Sequence, residues 1–448
     1  MIMRTIRYIL LAAGAVLLSS CGLYKKYERP EMTFTDSLYR RLPQSADTSS
    51  LARVSWEDFF TDPVLKEWIA LGLKNNTDLN VARFKVEEAE ASLMAARGAF
   101  LPGATFNASA GLSGVNTNLT ASWDADIFRN LTNAKRKAAA ALEQSVAYRQ
   151  AVQTKLVASI ANTYYTLLML DEQLRVSQRT HENWKENIRT MEALKRAGKT
   201  NEAAVLQAKA NQLNVQGSMV SLEQQIIELE NSLSSLLGIV PMTIRRGHLN
   251  EQNFPIELSQ GLPAQLLSGR PDVRQAEMAL AQAYYATNQA RAAFYPQISI
   301  SGSLGAAMNG YTAGIDQFIT SLGASLVQPV FKKRALKANL VKAQAQQKAA
   351  LYEFRQSLLD AGVEVNNALV QWQTAQESLQ IDQKKVIHLQ AAVWNTQLMM
   401  KHGLKNYLEV LTAQQTLLQA ELAVASDKFE QIQGVINLYH ALGGGYDN

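Results

Sequence analysis

The chain has 448 residues, 47% hydrophobic and 19% charged, with a formal net charge of +5. This is the composition of a folded protein and excludes wholesale disorder, and the length suffices for a large core or for two or three ordinary domains. Arg4 and Arg7 lie in a segment expected to be removed, leaving 5 − 2 = 3 positive charges on the mature chain, too few and too dispersed to indicate nucleic acid.

Residues 1–20 read as a lipoprotein signal peptide. Arg4 and Arg7 form a positive start, and Ile9 to Leu18 is an apolar run too short to span a bilayer as a helix. The run ends Leu18-Ser19-Ser20-Cys21, which resembles the lipobox of bacterial lipoproteins, where the thiol is acylated and becomes the new N-terminal residue. Cys21 is the only cysteine, so it forms no internal disulfide. A lipid on Cys21 is the one attached group expected, and residues 21–64 read as the anchor and an extended segment. No later stretch holds eighteen uninterrupted apolar residues. Any membrane crossing must therefore use the strands of a closed barrel.

The rest of the chain is a duplication. Arg97-Gly98-Ala99-Phe100-Leu101-Pro102 matches Arg291-Ala292-Ala293-Phe294-Tyr295-Pro296, an offset of 291 − 97 = 194. Arg196-Ala197-Gly198 matches Lys401-His402-Gly403, and Leu237-Gly238 matches Leu442-Gly443, both at an offset of 205. Two copies of one unit follow, over 65–240 and 262–445, with an irregular linker at 241–261 that carries Pro241 and Pro255, and a short C-terminal end at 446–448.

Each copy has one plan. A helix comes first, Leu65 to Arg97 and then Asp272 to Arg291. Period-two segments follow, about 104–128 and 297–328. Phe106, Ala108 and Ala110 alternate with Thr105, Asn107 and Ser109; Leu119, Ala121, Trp123, Ala125 and Ile127 alternate with polar residues; Ile298, Ile300 and Leu304 alternate with Ser299, Ser301 and Ser303; and Phe318, Leu322, Ala324 and Leu326 alternate with Ile319, Ser321, Gly323 and Ser325. One apolar and one polar face, over about ten residues, is the pattern of a tilted membrane strand. Then come long helices. Asn133 to Arg196 has no proline or glycine, and at ~1.5 Å per residue this is a rod of roughly 95 Å. Val152, Leu156, Ile160, Leu167, Leu170 and Leu174 step at coiled-coil spacing, as do Leu351, Phe354, Leu358, Ala361 and Val365, and Leu411, Leu418, Ala425, Ile432 and Tyr439 recur every seven residues. Each rod breaks at a glycine, Gly198 or Gly403, and returns as a helical hairpin. The fold class is mainly α with a β-barrel segment. Four strands cannot enclose a lumen, so closure needs several chains.

Ser268-Gly269-Arg270-Pro271-Asp272-Val273 and Trp56-Glu57-Asp58-Phe59-Phe60-Thr61-Asp62-Pro63, with the Arg291 to Pro296 segment, resemble the signatures of TolC/OprM-type outer-membrane efflux lipoproteins, the outer-membrane factors of tripartite pumps. The resemblance implies a homotrimer with a twelve-stranded transmembrane barrel and a twelve-helix periplasmic tunnel. It also implies a periplasmic adaptor, an inner-membrane RND-type pump, and small-molecule export through a passive duct. On the same grounds the periplasmic gate maps to Glu409 and to Thr412, where the family usually has an aspartate, and adaptor contact maps to Arg196, Gly198, Lys199, Gly403, Leu404 and Lys405.

Nothing indicates an enzyme. Gly198-Lys199-Thr200 lacks the earlier glycine of a phosphate loop, its place being Ala193, and His181, His248, His388, His402 and His440 have no metal-ligand spacing. The alternatives are the same duct serving type I protein secretion or metal-ion export, or a periplasmic coiled-coil scaffold, which leaves the alternating segments unexplained.

Overall fold

The computed structural model describes residues 24–32, 54–111, 114–252, 269–309, 317–327, 333–402 and 407–445. In chain order the elements are α1 (Trp56–Phe59), α2 (Pro63–Asn75), α3 (Thr77–Gly98), β1 (Gly103–Gly111), β2 (Gly114–Ala125), α4 (Asn130–Arg196), α5 (Glu202–Leu237) and a 3-10 turn (Leu249–Glu251). There follow α6 (Pro271–Ala292), β3 (Gln297–Asn309), β4 (Gln317–Val327), α7 (Lys333–Lys401) and α8 (Tyr407–Ala441). They divide into two compact units. One comprises the described residues of 1–33, 82–149 and 271–358, the other those of 34–81, 150–270 and 359–448.

The first unit carries a single antiparallel sheet in the order β1-β2-β3-β4. Its central pair joins the two repeats, with β2 against β3 from Gly114↔Asn309 to Ala125↔Ile298. The duplication is visible bond by bond. α3 ends with Ala99, Phe100 and Leu101 donating to the carbonyls of Ala95, Arg97 and Gly98; α6 ends with Ala293, Phe294 and Tyr295 donating to Gln289, Arg291 and Ala292. Every donor and acceptor is shifted by 194, so the same short motif stops each helix below its strand. β2 is shorter than the alternation predicts, ending at Ala125 before Ile127. The reason is Asp126, whose carboxylate accepts from the Leu131 and Thr132 N–H groups at 2.8 and 2.7 Å and so starts α4 at Asn130.

The second unit is helical, with a core of Phe59, Phe60, Leu65, Ile69, Ile160, Tyr164, Leu167, Leu237, Ile436 and Tyr439. The helix expected from Leu65 to Arg97 is broken at Asn76. The Asn76 side chain accepts from the Leu79 N–H (3.0 Å) and donates to the Leu236 carbonyl (2.9 Å), starting one helix while tying it to the end of α5. α5 and α8 end alike: Gly238 and Gly443 have φ of 66° and 85°, the left-handed residue that closes a helix. α4 runs antiparallel to α8, since the partners of Asn162, Gln173 and Arg179 descend through Asn437, Ser426 and Glu421. The predicted seams are buried at Leu156, Ile160, Leu167, Leu170, Phe354, Leu358, Ala361 and Val365, but Leu351 is 38% exposed.

Both segments that carry the family resemblance are structural. Asp62 caps α2 and also accepts from the Tyr164 hydroxyl (2.7 Å), and Phe59 stacks on Tyr439 at 3.9 Å. Arg270 is 3% exposed and donates to the carbonyl of Ala441, the last residue of α8, at 2.5 Å and to Glu364 of α7 at 2.6 Å. It thus satisfies a helix-end carbonyl that would otherwise lack a partner.

Candidate functional site: the sheet faces and the hairpin tip

Residues paired directly across antiparallel strands project to the same side. The register therefore sums the four alternations. One face collects Phe106, Leu119 and Leu304; Ala121, Gly302 and Leu322; Trp123, Ile300 and Ala324; and Ala125, Ile298 and Leu326. The other collects Thr105, Asn107, Asn118, Thr120, Ser122, Asp124 and a file of serines, with Ser299–Ser325 and Ser303–Ser321 hydroxyls hydrogen-bonded at 2.7 and 2.6 Å. The apolar face is open: Leu322 is 87% exposed, and Phe106, Leu304 and Leu326 are exposed with it. So large an apolar patch on a secreted chain calls for an apolar environment. At the foot of the sheet the Trp123 ring N–H donates to the Phe100 carbonyl (3.0 Å) and Phe128 stacks on Tyr295 (4.8 Å); Trp123 and Tyr295 are amphipathic rings of the kind that sit at a membrane surface. β1 and β4 are edge strands, each paired on one side among the described residues.

The tip of the first hairpin is built by local rules. Gly198 has φ 70°, and the Gly198 and Lys199 N–H groups bond to the Lys195 and Leu194 carbonyls, closing α4. Asn201 then caps α5 through the Ala204 N–H (3.0 Å), and Lys195–Glu202 and Glu192–Lys209 ion pairs cross the hairpin. Arg196 and Lys199 are exposed there. Inside, Trp184, Ile188, Met191, Val205 and Ala208 pack against Tyr407, Val410 and Leu411 of α8. Burial holds the Tyr407 phenol well above its ordinary pKa, and its oxygen has no hydrogen-bond partner among the described residues.

This packing orients the opposite side of α8. Glu409 and Thr412, three residues apart, share an exposed helix face. The Thr412 hydroxyl donates to the Leu408 carbonyl of its own helix (3.0 Å), so Glu409 supplies the charge of that face. Gly403, Leu404, Lys405 and Cys21 lie outside the described residues. Sequence reasoning missed Asp427 on α8. Burial, with the Asp382 and Glu430 charges beside it, raises its carboxyl pKa, and one of its oxygens is buried without a partner among the described residues. Only Glu430, three residues on, was visible beside it in the sequence; the burial and Asp382, 45 positions away (427 − 382) on another helix, were not.

The sequence model of the outer membrane efflux protein family matches the chain over residues 68–239 and again over 262–444. The chain belongs to this family. As an outer membrane efflux protein it is a channel subunit of the outer membrane. Among similar proteins, cation efflux system protein CusC of Escherichia coli (strain K12) is 28% identical, the match covering 96% of this chain and 98% of CusC. Toluene efflux pump outer membrane protein TtgF of Pseudomonas putida is 29% identical, covering 97% and 96%. SilC of Salmonella typhimurium, named as an outer membrane lipoprotein, is 27% identical, covering 99% and 98%. Among solved structures, the outer-membrane channel OprN superposes with a TM-score of 0.84 at 27% identity, covering 94% of this chain and 98% of OprN. A CusC structure gives 0.84 at 26%, covering 95% and 100%.

Proposed function

We propose that three copies of this efflux protein close a twelve-stranded barrel and continue it as a helical periplasmic tunnel, through which small molecules leave passively. The observation that carries this reading is the open sheet: two edges left unpaired among the described residues, with an exposed apolar face, are stable in a bilayer only when the sheet closes with other copies. The chain contributes the duct. Energy and choice of cargo come from an inner-membrane RND-type pump, reached through a periplasmic adaptor that contacts the tip at Arg196, Gly198, Lys199, Gly403, Leu404 and Lys405. Metal ions are a second cargo reading, favoured by the similarity to CusC. Toluene tolerance compared with tolerance of metal cations, in cells that depend on this channel, separates the two.

Glu409, with Thr412 beside it, lines the closed mouth. Three carboxylates around one axis resist simultaneous ionisation and attract cations. Single-channel conductance of the purified protein in planar bilayers tests this. A small, cation-selective, divalent-sensitive conductance is expected, weakened in selectivity by Glu409→Ala. Unchanged selectivity in that variant removes Glu409 from the mouth, and a protein extracted as a soluble monomer without conductance removes the duct.

Cys21 carries the lipid. Tyr24, three residues on, is held at the foot of the sheet by the Arg129 side chain, which donates to its carbonyl at 3.4 Å, and three residues reach at most ~10 Å. Cys21→Ser is expected to abolish metabolic labelling with palmitate; retained label in the variant refutes the attachment.

A further inference from the structure

Residues 24–32 run along α6 away from the foot of the sheet. The Tyr284 hydroxyl donates to the Lys25 carbonyl (3.2 Å), the Tyr27 N–H donates to the Tyr285 hydroxyl (3.2 Å), and Arg29 pairs with Glu277 (3.4 Å). Between this segment, α6 and α7 lies a cavity of about 580 Å³. Four cations line it, Lys25, Lys26, Arg291 and Lys348, against one carboxylate, Glu28. Tyr27 also lines it, and the phenol oxygen of Tyr27 is buried without a hydrogen-bond partner among the described residues. Leu351, expected in the α7 seam, opens onto this cavity instead.

We propose that this cavity binds the anionic headgroup of a phospholipid in the periplasmic leaflet of the outer membrane. A phosphate diester offers oxygens that accept from several Lys and Arg donors at once. The Leu351 side chain meets the apolar part of the same molecule. Depth selects a lipid. Arg291 lies in the last turn of α6, 297 − 291 = 6 residues before β3 begins, just below the aromatic foot of the apolar face. Lys25 and Lys26 follow the proposed acylated Cys21 by four and five residues, and their flexible stems extend toward the bilayer surface. Clustered lysines beside a membrane segment are the usual partners of anionic lipid, and one acyl anchor is strengthened by such a patch. The inference rests on the sheet lying in the bilayer, and conductance measured in parallel reports that separately.

Native mass spectrometry of the full-length protein, released from micelles containing equal amounts of phosphatidylglycerol and phosphatidylethanolamine, tests the site. The wild type is expected to retain phosphatidylglycerol preferentially. With each basic residue near an anionic headgroup giving about a fivefold effect, Lys348→Gln should weaken retention about fivefold and Lys25→Gln with Lys26→Gln roughly 20- to 30-fold, all with wild-type conductance. Lys348 is exposed on α7, so its variant folds even if the N-terminal pair does not. Equal retention of the two lipids, or unchanged retention in Lys348→Gln, overturns the proposal. So does displacement of the lipid by excess inorganic phosphate, which would make the cavity a site for free phosphate.

Discussion

Adjacent residues of β4 report opposite faces of the sheet, so exchanging each for arginine tests the orientation directly. Leu322 is the sixth of eleven residues in β4 and stands on the apolar face, opposite Gly302. An arginine on the lipid side of a barrel near the midplane costs ~2–4 kcal/mol, so the three copies of the proposed trimer would cost ~6–12 kcal/mol. That is comparable with the whole stability of a typical domain, about 5–15 kcal/mol, so Leu322→Arg should prevent assembly. Ser321 points the other way, and its hydroxyl bonds to Ser303 at 2.6 Å. Ser321→Arg loses this bond, worth about 0.5–1.5 kcal/mol or less at a wetted surface, while its guanidinium stays hydrated. Urea titration of protein in vesicles, followed by β-sheet circular dichroism, measures the first effect, and reversal potentials under a salt gradient measure the second. The expected result is an unassembled Leu322→Arg and an assembled Ser321→Arg with reduced cation selectivity. A Ser321→Arg that fails to assemble beside a normal Leu322→Arg would invert the face assignment, and equal behaviour would deny that the faces meet different solvents.

Gly198 and Gly238 make a matched pair, since φ is 70° and 66° but only Gly238 is crowded. A Cβ at Gly198 meets nothing within 4 Å, whereas at Gly238 it would stand 2.7 Å from the Asn75 carbonyl oxygen. Gly198→Ala should cost about 1 kcal/mol and Gly238→Ala about 2–4 kcal/mol in urea unfolding; equal costs would show that the contact relaxes freely. For Asp427, burial together with Asp382 and Glu430 puts the folded carboxyl above its ordinary value. Stability is then fully present below the unfolded pKa of about 4 and is lost as pH rises through the higher folded value. Asp427→Asn is therefore expected to stabilise the protein at pH 7 and to change nothing below about pH 4; a loss of stability at pH 7 would mean that the carboxylate has a partner that it needs.

The elements that repeat were legible in the sequence, because the repeat displays each of them twice. Phe100 and Phe294 mark equivalent helix ends with the same hydrogen bonds, and Gly238 and Gly443 close equivalent helices. The period-two segments gave four strands and also which side of each is apolar. The break at Asn76 was not legible, because it depends on the Leu236 carbonyl 236 − 76 = 160 positions away. Nor was the role of Arg270: the Arg-Pro-Asp motif reads as a helix start, and only packing reveals that its guanidinium holds the end of α8. Leu351 went wrong for a related reason, since heptad spacing cannot register that residues 24–32 leave a cavity beside α7.

The chemistry of the polar face bears on why relatives named for such different cargoes share this architecture. Asp124 is the one charged residue in the four described strands, and the rest of its face is mostly hydroxyl, amide or glycine, with Val327 opposite Gln297 an apolar exception at its margin. Such a wall offers hydrogen bonds to water and no fixed field to choose among solutes, so a bulky organic molecule and a hydrated cation meet much the same surface. A lipid-facing side that tolerates no charge and a wetted side that carries almost none are together the composition of a neutral aqueous passage. Discrimination then belongs to charged constrictions elsewhere, and along the exposed face of α8 at the tip the candidate is Glu409, where one carboxylate per chain would be multiplied by the symmetry of the assembly.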